Sequence, residues 1–416
     1  MISDRRFDHE LPELLTDLYL GPTPDYRDDI LLRVARTPQR RVWTFPERWL
    51  PMSVVTLARE AMQPLPWRTI GLLALLTLLV GAIVLYAGSQ QRRLPAPFGP
   101  AANGALVFAD AGDIVAFDQS TGTRTTVVGG PAADRAPAFS RVGSQLAFLR
   151  DGAPGAGSSV WVSNPDGSNQ RRIAEGVKAV TFEGGSFVDG SIEWSPDGRS
   201  LLLSTNTDIG HAITIVPVDG SSPPRTLDVG MRAEGPTWRP PNGGEILFRG
   251  QTAEGYGLYA VQADGMNVRT IVPPVATTDT FDLLFYSWSP DGSQIAFQRA
   301  PTADGPRFIH VVRAAGGEAR AVTSSESVGA QWSPDGRSIL YSGDSGGTIT
   351  LNVVSSDGTG RRELSTSSGA ARWTPDGRKI LLAGEDGFVL IDLLGGPPEN
   401  LAFSSETLPD WQRLAP

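Results

Sequence analysis

The chain has 416 residues, with 36 basic and 45 acidic side chains, three histidines and no cysteine. That length allows two or three domains, and the missing cysteines exclude a disulfide framework and a thiolate zinc site. Residues 1–93 hold 12 arginines against 10 acids, whereas the rest hold 24 basic and 35 acidic side chains, which argues against nucleic acid as a partner of the larger part.

Residues 1–68 read as a small helical head. Leu11, Leu14, Leu15, Leu18 and Tyr19 fall on one helical face. A second helix opens at Pro24, with Asp25 and Asp28 at its N-terminal end and Tyr26, Ile30, Leu31 and Val34 as its apolar face. A third short helix is expected around residues 54–62. Between them, Arg40-Arg-Val-Trp-Thr-Phe-Pro-Glu-Arg-Trp-Leu50 interleaves arginine with tryptophan, as a segment lying at lipid headgroup depth does. The stretches Leu11-Pro-Glu-Leu-Leu15, Pro24-Asp-Tyr-Arg-Asp-Asp29 and Trp43-Thr-Phe-Pro-Glu-Arg-Trp-Leu-Pro51 resemble the juxtamembrane heads of actinobacterial one-span proteins, some of them anti-sigma factors. That resemblance implies a cytoplasmic sigma factor as partner. His9 stands alone in the head, so any such role is free of zinc.

Residues 69–88 read as one transmembrane helix. No charge occurs from Thr69 to Gln91, and about 20 apolar residues at about 1.5 Å each cross a hydrocarbon core of about 30 Å. Trp67 and Tyr86 stand at its two ends, with Arg68 and Arg92-Arg93 outside them. The 30 residues before the span carry five arginines and the 30 after it carry two, which places the N-terminus in the cytoplasm and the rest of the chain outside. Residues 89–103 then form a stiff linker, Leu94-Pro-Ala-Pro-Phe-Gly-Pro100.

Residues 104–416 are an array. The strings Trp194-Ser-Pro-Asp-Gly198, Trp288-Ser-Pro-Asp-Gly292, Trp332-Ser-Pro-Asp-Gly336 and Trp373-Thr-Pro-Asp-Gly377 recur, with looser copies at Phe139 and Trp238 and a stripped one at Trp411. After each comes an apolar strand, a second strand, an Asp-Gly turn such as Asp166-Gly167, Asp219-Gly220, Asp264-Gly265 or Asp357-Gly358, and a third strand often carrying arginine. Seven such runs are countable, and the Trp or Phe strand before each is the fourth. The first run lacks a leading strand, and one is left over at Asp410-Trp-Gln-Arg413; a closed ring resolves both. The expected fold is an all-β propeller of seven four-stranded blades, with six as the alternative. The repeat is similar to the WD40-like, PD40-type propeller repeat of TolB, and the propeller of prolyl oligopeptidases is similar too. The TolB resemblance implies a ring that docks other proteins of the bacterial cell envelope.

Asp197, Asp291, Asp335 and Asp376 are best read as turn residues, and Trp194, Trp238, Trp288, Trp332, Trp373 and Trp411 as packing anchors between blades. Gly343-Asp-Ser-Gly-Gly347 matches a serine-hydrolase elbow in letters, but it falls in a tight loop between two strands, with His211 and His310 as the remaining histidines of the body. No spacing suited to a metal or cofactor stands out, so the expectation is a non-enzymatic protein with neither. The motif turns and the Asp-Gly turns emerge on one face of the ring. The longest irregular loops, residues 176–191 and 273–286, emerge on the other, where Phe187, Asp189, Tyr256, Asp279, Phe281, Asp282 and Tyr286 are the candidate binding face. Taken together, the chain reads as a single-pass bacterial membrane protein with an extracytoplasmic propeller that binds a protein or ligand and signals to a cytoplasmic sigma factor. A TolB-like envelope scaffold is the alternative, and a propeller hydrolase a more distant one.

Overall fold

A computed structural model describes residues 71–79, 94–180, 192–208, 210–275, 283–300, 305–366, 369–384, 386–401, 403–405 and 407–416. Backbone contacts divide the chain into two units, residues 1–91 and 92–416. In the first, residues 71–79 are helical, and Leu72, Leu73, Leu75, Leu76, Leu78 and Leu79 are all exposed. Among the described residues no helix is long and apolar enough to cross a membrane. The expected span is described only over those nine residues, and the expected head helices and the Arg-Trp segment lie outside the described residues.

The described residues of the second unit form twenty-eight strands, β1 (Ala102–Asp110) to β28 (Asp410–Leu414), arranged as seven four-stranded antiparallel sheets. This is the seven-bladed propeller expected from the repeat. Six sheets are simple meanders, and the first has the order β28-β1-β2-β3, with β2 at Asp113–Asp118 and β3 at Thr123–Val128. Trp411 pairs with Leu106 in that sheet, so the leftover C-terminal strand completes blade 1 and closes the ring.

The core has no single centre. Among the described residues it divides into seven apolar clusters, each shared by two neighbouring blades, from blades 1 and 2 around to 7 and 1. Middle strands buried on both faces explain the unbroken apolar runs, of which Leu146–Leu149 and Leu201–Leu203 are examples. The anchor aromatic of each blade packs back onto the blade before it: Trp194 joins the blade 2 cluster, Trp238 that of blade 3 and Trp411 that of blade 7.

The repeated string builds one hydrogen-bonded turn four times. In blade 3, Ser195 Oγ donates to Asp197 Oδ1 at 2.7 Å, the same oxygen accepts from the Arg199 N–H at 3.0 Å, and Ser195 Oγ accepts from the Ser200 N–H at 2.9 Å. The equivalent bonds recur around Asp291, Asp335 and Asp376, where Thr374 replaces the serine. The carboxylates are therefore occupied within their own turns. The closing glycine takes positive φ, and at Gly292 (φ 67°) a Cβ would stand 1.9 Å from the Pro240 carbonyl oxygen of the preceding blade. Gly292→Ala is expected to cost at least about 1–3 kcal/mol from the backbone strain alone, seen as a lower midpoint in thermal unfolding of the purified chain.

A second repeated contact lies at the rim. Arg225 donates to the Ala263 and Asp264 carbonyls of the next blade, at 2.5 and 2.8 Å. Arg269 reaches the Ala314 carbonyl at 2.9 Å, and Arg320 reaches Ser356 and Asp357 at 2.7 and 2.6 Å. Arg171 and Arg362 make the same contact with Val218 and Leu393. The arginine that follows the Asp-Gly turn in four blades, and Gly316-Gly317 in blade 5, is thus a latch onto the neighbouring blade's turn.

Candidate functional site

Six anchor aromatics end the innermost strand of their blade, β4 (Asp134–Phe139), β8 (Ile192–Trp194), β12 (Arg232–Trp238), β16 (Tyr286–Trp288), β20 (Ser327–Trp332) and β24 (Ala371–Trp373), and Trp411 is the second residue of β28. Side chains alternate between the two faces of a blade, so where the anchor packs back onto the preceding blade, the residue before it turns to the face of the following one, at the inner edge of the sheet. Those residues, from blade 1 to blade 7, are Asp410, Ala138, Glu193, Thr237, Ser287, Gln331 and Arg372. All except Ala138 line one cavity of about 300 Å³, which is the axial channel. Its rim on the motif face is built from Pro240, Pro290, Pro334 and Pro375 of the repeated turns, together with Arg141 and Arg413.

The channel side chains reach sideways to the next blade. Asp410 accepts the Phe139 N–H at 2.7 Å, Glu193 accepts the Trp238 N–H at 3.3 Å, and Gln331 Oε1 accepts the Trp373 N–H at 3.0 Å. Ser287 Oγ donates to the Ala330 carbonyl at 2.6 Å. Arg372 Nη1 donates to Asp410 Oδ1 at 2.8 Å and to the Pro409 carbonyl at 3.0 Å. Arg141 is paired with Glu193, whose carboxylate also accepts from Thr237 Oγ1 at 3.3 Å. The wall is therefore a belt of hydrogen bonds, most of them charge-assisted, that ties neighbouring blades together and holds these six polar side chains in place.

Arg413 lies at the rim and is held by carbonyl groups. Its Nε donates to Arg141 at 3.0 Å, and Nη2 donates to Ala96 at 3.0 Å and Gly99 at 2.7 Å. Burial, followed by the nearby Arg141 charge, pushes its pKa down to about 10, so it stays cationic at neutral pH. Pro97, Phe98 and Gly99 complete the lining at this end.

Two members of the expected binding face are described. Tyr286 lines the channel; its hydroxyl accepts the Arg249 N–H at 3.1 Å and contacts the Glu234 and Gly235 carbonyls. Burial raises its pKa well above the usual phenol range. Tyr256 is buried, with the Arg249 guanidinium 3.4 Å from its ring centroid. Arg249 is paired with Glu234 at 2.8 Å, which also meets Arg232 at 2.9 Å and His211 Nδ1 at 3.4 Å. Burial and then Arg232 lower the His211 pKa against the opposing pull of Glu234. Phe187, Asp189, Asp279, Phe281 and Asp282 lie outside the described residues.

Gly343-Asp-Ser-Gly-Gly347 is a β-hairpin turn: Ser345 pairs with Thr348, and Gly346 and Gly347 take φ of 70° and 89°. His310 stacks on Phe297, with ring centroids 5.5 Å apart. Among the described residues no three His, Asp or Glu side chains stand together in a way that would hold a metal ion.

The channel residues escaped the sequence reading, although a signal was present. Glu193, Thr237, Ser287, Gln331, Arg372 and Asp410 are all polar and each immediately precedes an anchor tryptophan. The period of two places them on the opposite side of the strand from a buried indole.

No protein-family description matches this chain, and no curated protein matches it in sequence. Solved structures match its fold. An oligogalacturonate lyase in complex with manganese is similar over 68% of this chain and 82% of its own, with 15% identity and a TM-score of 0.54. A puromycin-hydrolysing peptidase of Mycobacterium tuberculosis is similar over 74% of this chain and 56% of its own, with 15% identity and a TM-score of 0.50. TolB from Acinetobacter baumannii is similar over 66% of each chain, with 18% identity and a TM-score of 0.43. The chain thus spans just under two thirds of that TolB and little more than half of the peptidase. What these likenesses share is the propeller fold.

Proposed function

We propose that this chain is a single-pass bacterial membrane protein whose extracytoplasmic propeller is a non-enzymatic binding and sensing module. Its ligand enters the axial channel, and residues 1–68 couple occupancy to a cytoplasmic partner, a sigma factor. The observation that carries the binding role is the channel wall. Six polar side chains from six different blades are held in place by bonds to their neighbours around one cavity. Such a wall is organised before anything binds, so little ordering is needed on association. The uncharged stretch from Thr69 to Gln91 supports the anchor, and the arginine excess before it supports the orientation.

The full-length chain, tagged at its C-terminus and extracted in detergent after cross-linking in its native host, is expected to bring down a sigma factor. Deleting residues 1–68 should abolish that recovery without changing how the propeller melts. Recovery of cell-envelope proteins alone, unaffected by the deletion, would overturn the sensor reading in favour of an envelope scaffold.

A further inference from the structure

The segment leading into β1 does not run clear of the ring. Pro97, Phe98 and Gly99 are part of the channel lining at the motif face. Pro95 is buried and Phe98 is half-buried. Arg413 grips two carbonyls of this segment, three residues apart, and the Arg141 guanidinium lies 5.1 Å from the centroid of the Phe98 ring. Beyond the grip, the Ala101 N–H donates to the Pro375 carbonyl at 2.9 Å, which fixes the segment to blade 7.

The chemistry of the two sides matches. Three of the seven residues in Leu94-Pro-Ala-Pro-Phe-Gly-Pro100 are proline. Such a stretch is extended, has few N–H donors of its own and presents carbonyls outward. A guanidinium supplies donors and no acceptor, so it suits carbonyls, and its planar cation suits an aromatic face. Among the described residues Arg413 donates to three main-chain oxygens and to no carboxylate. The rim is thus fitted to a peptide, and the peptide in it belongs to the chain itself.

We propose that the motif-face mouth of the channel is a site for an extended segment containing proline and an aromatic residue, and that residues 95–99 occupy it as a built-in plug. This rests on the reading of the channel as a binding site and adds its regulation. A partner segment of the same chemistry binds only when the plug leaves, and its departure frees the linker between the propeller and the preceding chain. A tethered occupant acts at an effective concentration of about millimolar, so the same peptide offered from solution competes poorly with it.

The test uses the full-length chain in detergent and a fluorescently labelled, end-capped peptide of residues 94–100. Phe98→Ala weakens the plug while leaving Arg141 and Arg413 in place. The variant is expected to bind the peptide at least about tenfold more tightly than the unaltered chain, and adding Arg413→Gln should abolish the gain. Hydrogen exchange of residues 96–101 in the unaltered chain should quicken when the peptide is added in large excess, a readout that needs no variant. Equal affinity of the two chains, or no binding by either with exchange unchanged, overturns the plug. Failure to recover a sigma factor would leave this titration unaffected, because it reads the channel mouth alone.

Discussion

Trp194→Ala is expected to destabilise the propeller by about 3–5 kcal/mol, the usual cost of emptying a buried aromatic site. Trp194 is 2% exposed and sits in the gap between blades 2 and 3, against Val160, Val162 and Leu201. Its Nε1 also donates to the Ala138 carbonyl of the blade before, at 2.9 Å. The phenylalanine series separates packing from that bond. In blade 2, Phe139 already serves as anchor, so the ring alone fills the site. Trp332 is also buried, at 6% exposed, yet its Nε1 has no acceptor among the described residues. Trp194→Phe should therefore cost about 1 kcal/mol more than Trp332→Phe, the worth of one net hydrogen bond. Thermal and chemical unfolding of the purified chain measure both, and equal losses would show that the indole N–H contributes nothing.

Asp134→Ala is the second large effect. The Asp134 side chain is fully buried and receives Arg150 at both oxygens, at 2.7 and 2.9 Å. Asp134 in turn raises the Arg150 pKa further above its ordinary value. The guanidinium lies 4.7 Å from the Trp161 ring and 5.5 Å from that of Phe148. Removing the carboxylate leaves a cation among aromatic rings, and breaking a buried pair in this way costs about 3–5 kcal/mol. Arg150 keeps 21% side-chain exposure and a long contact with Gln170 at 3.4 Å, so the lower end of that range is expected. Arg150→Met added to Asp134→Ala should recover most of the loss, because the charge and its partner then leave together. A double variant no more stable than the single would refute this account.

The sequence carried the ring more fully than the channel, for a physical reason. The motif is a turn in which Ser, Asp and Gly each have one local task, so any blade that needs the turn repeats the letters. Blade number and closure followed from counting such turns and from the unpaired strand at Trp411. The latch arginines were visible as a habit of the strand after Asp-Gly, without their acceptors, because those belong to the next blade. The channel residues differ from blade to blade: Glu193 pairs with Arg141, Gln331 reaches a backbone N–H, and Arg372 meets Asp410. Repetition cannot reveal positions that do not repeat. Only the alternation of the strand marks them, and that requires knowing which side the tryptophan takes. The plug is less legible still. A proline-rich stretch reads as a linker until Arg413, more than three hundred residues later, is seen to hold it.

The pairing of β28 with β1 governs how the ring is assembled. Ala102 lies opposite Leu414, so the first blade waits for a strand made more than three hundred residues after it. Until then β1 presents an open edge, and the cluster between blades 7 and 1 lacks Trp411. Contacts so distant in sequence form slowly, and an unpaired edge invites pairing with another chain. Newly made molecules are thus most prone to aggregate in the interval before the circle shuts. The same strand carries Arg413, so the linker finds its seat only once the circle is complete.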